Sequence, residues 1–338
     1  MSAIQEQFDS SIPSRPLDLA IDPGTSFAHW RGLPYYAISS FYQDLFGTKV
    51  IKIPVNVADT CPNRLGLRGM QTCSFCDVWG SSADHRVQEE ELGTQYFLVR
   101  EKMQKKYPKV KNYLVYFQAY TNTFLKFDRV RDSLLQAQKL PDVRGLVIGT
   151  RPDCLSKALL TLWKDLAEEC FLGVELGVQS FRNDVLEFYR RGHSAEDSLR
   201  AIEKLSQIPK LNLGLHLMFG APGESLADAR EAARRCNELP IQNVKLHNLH
   251  VLKNTELEKL YQANRLTLLS LQEYTEWVGE FLVHLSPRTA VHRLAGYAPR
   301  WEELIAPAWT AHKMSAYQWQ LDYFRAQNIF QGKSFKDF

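Results

Sequence analysis

Cys61, Cys73 and Cys76 lie together in CPNRLGLRGMQTCSFC (61–76), whereas Cys154, Cys170 and Cys236 are scattered through the rest of the chain. Three clustered thiols cannot form a closed set of disulfides, and they are one short of the four ligands that structural zinc prefers. Three thiolates can instead hold three corners of a [4Fe–4S] cluster and leave its fourth iron open to another ligand, whereas simple electron carriers use four cysteines. A zinc site completed by a distant His or Cys is the alternative that spacing alone leaves open. Arg64 and Arg68 lie inside the stretch and no Asp or Glu does, which suits a group of negative charge.

Such a loop needs elements to hold it. Short apolar runs alternate with amphipathic segments from about residue 44 to 251. The runs at 50–55, 112–119, 144–150, 171–179, 211–220 and 243–251 read as strands, and helical patterns fill 88–106, 125–138, 155–169, 195–207 and 225–238. Ser194 with Asp197, Ser225 with Asp228, and Thr255 with Glu258 have the spacing of capping boxes, in which hydroxyl and carboxylate satisfy orphan amide donors. Strands alternating with helices predict βα units, a parallel sheet and an α/β fold. Right-handed crossovers would curl that sheet into all or part of a barrel. The cysteine stretch follows the first strand, at the end where barrel active sites form.

Side chains alternate faces along a strand, so Gly173, Glu175, Gly177 and Gln179 share one face, as do Asn212, Gly214, His216, Met218 and Gly220 in the next run. The opposite faces are apolar and suit packing under helices. Glycine and polar groups stand where a filled barrel carries bulky branched residues, which predicts a cavity with hydrogen-bonding walls. Structural water or a buried polar network is the plainer account of the same pattern.

The 338 residues are 45% hydrophobic and 23% charged with a net charge of +3, an ordinary globular balance that permits an anionic partner without arguing for one. No secretory pattern opens the chain, and no apolar run approaches the ~20 residues of a membrane span. Scattered cysteines without a disulfide framework make a reducing cytoplasm the expected location. Residues 1–32 read as a loosely ordered extension and 33–255 as the barrel. Residues 256–338 read as a helical, aromatic-rich extension whose Trp277, Trp301, Trp309 and Trp319 mostly pack across the open barrel. The basic segment 100–111 reads as a solvated helix end, with phosphate binding as the alternative.

The cysteine stretch resembles the cluster loop of radical S-adenosylmethionine (SAM) enzymes, in the long-spaced form of the Elongator-like and YhcC/YtqA-type members. The segments YFQAYTNTF, IGTRPDCL, VELGVQS, RRGHS, FGAPGES, VKLHNLHVLKNT and VHRLAG resemble that subfamily in the same order, from about residue 33 to the end. The resemblance implies a partial (β/α)6 TIM-type barrel with a C-terminal extension. It implies a [4Fe–4S] cluster on Cys61, Cys73 and Cys76 whose unique iron chelates SAM. Reductive cleavage then gives a 5′-deoxyadenosyl radical that abstracts hydrogen from the substrate. A low-potential electron donor of flavodoxin or ferredoxin type is implied as partner.

By the same resemblance Phe75 shields the cluster and borders adenine, Gln179 contacts SAM, and Arg191 pairs with the methionyl carboxylate, a role its neighbour Arg190 would also fit. Gln118, Ala119 and Tyr120 end the second strand, where related enzymes hold the SAM amino group mainly through backbone carbonyls. Glu175 and His216 point inward toward SAM or substrate, or are satisfied buried groups. His247 and His250 stand on opposite strand phases and do not read as a pair, and His292 with Arg293 reads as an added strand near the barrel mouth. No catalytic acid or base is assigned. A tRNA wobble-uridine side chain is the expected substrate, with a small molecule or cofactor precursor as the alternative. A non-catalytic iron–sulfur or zinc sensor is the alternative of another class, and it would not need Gln179 and Arg191.

Overall fold

A computed structural model describes residues 30–77, 90–298 and 300–336. Most of the expected N-terminal extension, residues 1–29, and the first residues of the helix expected at 88–106 lie outside them. The barrel half of the chain runs α1 (Ile38–Phe46), β1 (Ile51–Val55), α2 (Leu92–Lys106), β2 (Tyr113–Phe117), α3 (Phe127–Gln138), β3 (Val143–Thr150), α4 (Lys157–Glu169) and β4 (Phe171–Gln179). It continues through α5 (Asn183–Phe188), α6 (Ala195–Ser206), β5 (Asn212–Phe219), α7 (Leu226–Glu238) and β6 (Asn243–Asn248). The remainder is β7 (Val251–Leu252), α8 (Glu256–Gln262), α9 (Leu271–His284), β8 (Ala290–Val291), β9 (Leu304–Ala306) and α10 (Lys313–Ala326).

Strands β1 to β6 pair in sequence order, all parallel, and β8 adds a seventh at the β6 edge. Each crossover carries its helix to the outer face. There Val174, Leu176, Leu213, Leu215 and Leu217 are buried with Trp163 of α4 and Ala229 and Ala233 of α7 in one apolar cluster. The result is a curled, partial TIM-type barrel. Because the strands are parallel, every βα loop emerges at one end, and that end gathers the segments after each strand.

The helix starts are built as the sequence suggests, with one variation. Ser194 and Asp197 form a reciprocal capping box at α6, and the Asp228 carboxylate accepts from Ser225 N at 2.7 Å at α7. At α8 Thr255 accepts from Glu258 N at 3.3 Å, but the Glu258 carboxylate takes the amide of Asn254 instead of Thr255, at 2.6 Å. Ser270 and Glu273 make a further box at α9 that the sequence reading passed over.

The C-terminal region is woven into the barrel. Helix α9 packs on α7, Tyr274 stacks on Trp309 with ring centres 5.5 Å apart, and Trp319 is buried. Trp301 departs from the expected packing, being 52% exposed. Strand β8 is level with the start of β6, since Asn243 faces Ala290 and Val244 faces Val291. His292 therefore sits deep in the lumen and not near the mouth as expected. Gln331 ties the last described turns to the first: its amide accepts from Tyr36 N at 2.9 Å and donates to Thr289 O at 2.7 Å.

The basic segment 100–111 straddles the end of α2 and the entry to β2, the barrel end opposite the βα loops. Lys105 pairs with Glu101 at 2.7 Å and is exposed. This is a solvated helix end.

Candidate functional site

The cysteine loop leaves β1 and is pinned over the barrel end by polar groups from three other elements. Asn63 donates through Nδ2 to Gln71 O and to Arg190 O, each at 2.7 Å. Ser74 N donates to Tyr189 O at 3.1 Å, and Leu257 N of α8 donates to Ser74 O at 3.1 Å. Arg151, buried after β3, hydrogen-bonds Asn63 Oδ1, donates to Arg191 O at 2.7 Å and pairs with Asp153 at 2.8 Å. Gly192 has φ +69°, a left-handed position that favours glycine, and a Cβ there would stand 2.3 Å from Met70 Sδ, so the Met70 side chain would have to move.

Cys61, Cys73 and Cys76 are free thiols lining one cavity of about 330 Å³. Arg191 Nη1 donates to Cys73 Sγ at 3.3 Å, and Arg64 Nη2 lies 3.5 Å from Cys76 Sγ and also bonds Asp77 O. Burial, with Cys73 adding to it and Arg64 opposing, pushes the Cys76 thiol up to about 12. The Nε atoms of Arg64 and Arg191 are buried without a hydrogen-bond partner among the described residues. Among the described residues no three His, Cys, Asp or Glu are grouped to hold a metal ion by themselves. Thiols spread around a cavity wall, with guanidinium groups against two of them, fit an anionic multi-iron group with separate corners.

The other expected site residues line the same cavity. Phe75 packs edge-on against Tyr189 at 5.5 Å between ring centres and lies under the Arg191 guanidinium at 5.9 Å. Arg191 Nη2 also donates to Gly177 O at 2.9 Å. A Cβ on Gly177 would stand 3.1 Å from the Gln179 amide nitrogen and 3.2 Å from Arg191 Nη2, so the glycine makes room for both. Arg190 turns away and pairs with Glu256 at 3.2 Å, which separates the two arginines that sequence left as rivals. Gln118 lines the cavity, and Ala119, Tyr120 and Gln179 all take left-handed backbone, φ 66°, 48° and 69°. Left-handed non-glycine residues store strain and gather at functional sites. Here they close strand ends at the cavity.

Glu175 and His216 belong to a buried ionic network that crosses the lumen. The Glu175 carboxylate bonds Lys52 of β1 and accepts from Tyr116 OH at 2.8 Å and Lys245 Nζ at 3.1 Å, with His216 Nε2 at 2.7 Å. Burial would raise this carboxyl, but Lys245 and Lys52, then His292 and His216, hold it well below its ordinary value. Burial pulls His216 down to about 4, and pulls Lys245 down to about 8 against the attraction of Glu175. The sequence pattern does not single out Lys52 and Tyr116. A lysine inside the apolar run VIKIPV was the available signal. Arg151 was also missed, although IGTRPDCL was in view.

His247 and His250 both line the cavity, and the ring of His247 lies 5.2 Å from that of His216. His292 faces the network, with Nε2 2.6 Å from Asn243 Oδ1 and Nδ1 3.3 Å from Lys52 Nζ.

A parallel half-barrel with three cysteines on the loop after its first strand defines a class, and the sequence comparisons agree with it. The Radical SAM superfamily model matches residues 55–236 and the Radical_SAM C-terminal domain matches 241–320. The chain belongs to the Radical SAM superfamily and is an enzyme of it, with a [4Fe–4S] cluster and SAM as cofactors. It is 34% identical to Protein YhcC of Escherichia coli strain K12 over 296 residues, 86% of this chain and 91% of that one. A shorter stretch, 146 residues, is 33% identical to the tRNA uridine(34) acetyltransferase of Methanocaldococcus infernus, covering 40% of this chain and 26% of that protein. In fold it is similar to an N-terminally truncated Elp3 of M. infernus, with a TM-score of 0.60 at 18% identity, over 83% of this chain and 64% of that one. No helix among the described residues is long and apolar enough to cross a membrane.

Proposed function

We propose that this radical SAM enzyme modifies a uridine side chain in tRNA. The observation that carries the reading is the 146-residue stretch shared with a tRNA uridine(34) acetyltransferase. In the site we assign Cys61, Cys73 and Cys76 as the cluster ligands. When bound, cluster and SAM supply reductive cleavage and abstraction of a substrate hydrogen. The chain's own residues bind, orient and exclude water.

Arg191 is suited to a carboxylate because a guanidinium is planar and charged and its Nε has no internal partner. Gln179 and Phe75 border the same space and are assigned to the nucleoside end of SAM. The carbonyls at the end of β2, turned by the left-handed pair Ala119 and Tyr120, are assigned to its amino group. Glu175 and His216 are assigned to positioning: the carboxylate is already engaged by Lys52, Tyr116, His216 and Lys245.

The test is deoxyadenosine formation by the anaerobically reconstituted enzyme with and without tRNA, paired with mass spectrometry of tRNA nucleosides from a deletion strain. The proposal expects stimulation by tRNA and an altered nucleoside. Turnover that survives removal of all RNA, with unchanged nucleosides in the deletion strain, points to a small-molecule substrate instead.

A further inference from the structure

The cavity wall farthest along the sheet carries positive charge that the chain does not balance. Lys245 and Arg293 line this wall, Lys52 of β1 reaches Glu175 beside them, and Glu175 is the one carboxylate among the described residues lining the cavity. Both oxygens of Glu175 are taken by the two lysines, Tyr116 and His216. Arg293 makes no ion pair with a described residue. Its Nε donates weakly to Leu246 O at 3.4 Å, and its Nη2 lies 2.6 Å from His247 Nδ1. Burial lowers its pKa, outweighing the opposing pull of Tyr116, Tyr274 and Glu175.

Two further polar groups share this corner. Asn248 is 2% exposed, and its Oδ1 has no partner among the described residues. The hydroxyl of Tyr297, also lining the cavity, is buried without a partner among the described residues. A Cβ on Gly296 would stand 3.4 Å from Arg293 Nη2, 3.5 Å from His247 Nδ1 and 3.7 Å from Asn248 Oδ1, so one small residue roofs all three. Buried polar atoms without partners cost free energy unless a ligand supplies them.

We propose that Arg293, Lys245 and Asn248 form a subsite for an anionic group of the substrate, a carboxylate or a phosphate, with Asn248 Oδ1 accepting from a donor beside it. This rests on the reading of the cavity as the SAM and substrate site. It is separate from the carboxylate of SAM, which we assign to Arg191 against Cys73, whereas Arg293 stands against His247. A carboxylate would come from a substituent on the modified base, and a phosphate from the nucleotide backbone.

The probes are acetate and inorganic phosphate, added to reconstituted enzyme saturated with SAM while thermal unfolding is followed, with chloride matched in ionic strength. An anion that binds the folded state raises the midpoint, by roughly 1–2 °C for each kcal/mol of linkage in a chain of this size. One of the two anions should do so and chloride should not. The shift should vanish in Arg293→Gln and Lys245→Gln and survive in part in Arg293→Lys, which keeps the charge without the fork. An acetate response assigns the carboxylate source, and a phosphate response the backbone source. Absence of any shift in the parent overturns the subsite, as does a shift of equal size in Arg293→Gln. The parent and Arg293→Lys decide the matter if Arg293→Gln does not fold. An anion response without tRNA stimulation would sink the tRNA reading alone; tRNA stimulation without an anion response would sink the subsite alone.

Discussion

Arg191 meets two demands with one side chain, because its guanidinium touches Cys73 Sγ and Gly177 O while Nε stays unpartnered. In the proposed arrangement Arg191→Ala removes a charge-assisted contact to SAM worth about 1.5–3 kcal/mol, which raises the SAM concentration needed by roughly tenfold to a hundredfold. Iron content should stay near the parent's, since no ligand is lost. Gln179→Ala should act in the same direction and more weakly. Equilibrium binding of SAM to the reconstituted variants measures both, and parental affinity in the two would remove SAM from this part of the cavity. Arg190 offers a control at the adjacent position, because it pairs with Glu256 and should change SAM affinity little.

At the scale of elements, the cysteine loop depends on how it seats on the turn after α5. Gly192→Ala places a methyl against Met70 at a left-handed position. The expected outcome is loss of iron uptake with the far-ultraviolet circular dichroism of the barrel retained. Parental iron content in that variant would show that the loop is held some other way. Beneath it, Glu175 joins β1, β2, β4, β5 and β6 through Lys52, Tyr116, His216 and Lys245. Glu175→Gln leaves two half-buried lysines without a counter-charge and should destabilise the fold by about 3–5 kcal/mol in denaturant unfolding. A loss below 1 kcal/mol would mean that water already screens the network.

The strands were legible because their apolar faces repeat every second residue, and β4 begins and ends where FLGVELGVQ does. The inward polar face of that strand also foretold the cavity. What the sequence could not show is which inward group meets which. Lys52 and Glu175 are 123 residues apart and join only when the sheet curls. The added strand β8 was legible but its level was not, because two residues carry no alternation and their register is set only by pairing with the start of β6. Arg151 reads in sequence as a loop arginine, and only the fold shows it bracing the cysteine loop.

For the molecule as a whole, the lumen makes stability depend on pH. Histidines ordinarily titrate near 6.5. Burial holds His216 near 4, and His247 and His292 well below their ordinary value. Below pH ~6.5 the unfolded chain takes up protons that the folded chain refuses, so stability falls as pH falls, by about 1.4 kcal/mol per unit for each such histidine. The depressed Glu175 carboxyl adds a loss at lower pH, since its contribution is present above the unfolded value near 4.3 and fades as pH drops toward the folded one. Unfolding of the cluster-free chain between pH 7 and 5 tests this, and a flat profile would contradict it.

The placement of charge bears on tRNA as well. Lys105, Lys106 and Lys109 belong to the barrel end opposite the cavity, whereas Arg68 on the cysteine loop and Lys253 after β7 are exposed at the cavity end. Neutralising Arg68 and Lys253 should flatten the salt dependence of tRNA binding, and neutralising the three lysines should not.

The central claim is that Cys61, Cys73 and Cys76, and no other cysteines, hold a cluster that cleaves SAM. Its most direct test measures iron and deoxyadenosine together, in anaerobically reconstituted parent and in each of the six single Cys→Ala variants. The parent should bind on the order of four irons per chain and cleave SAM slowly without substrate. Loss of Cys61, Cys73 or Cys76 should abolish both, while loss of Cys154, Cys170 or Cys236 should leave both in place. A parent that takes up only zinc, or a full cluster in any of the first three variants, would contradict the account.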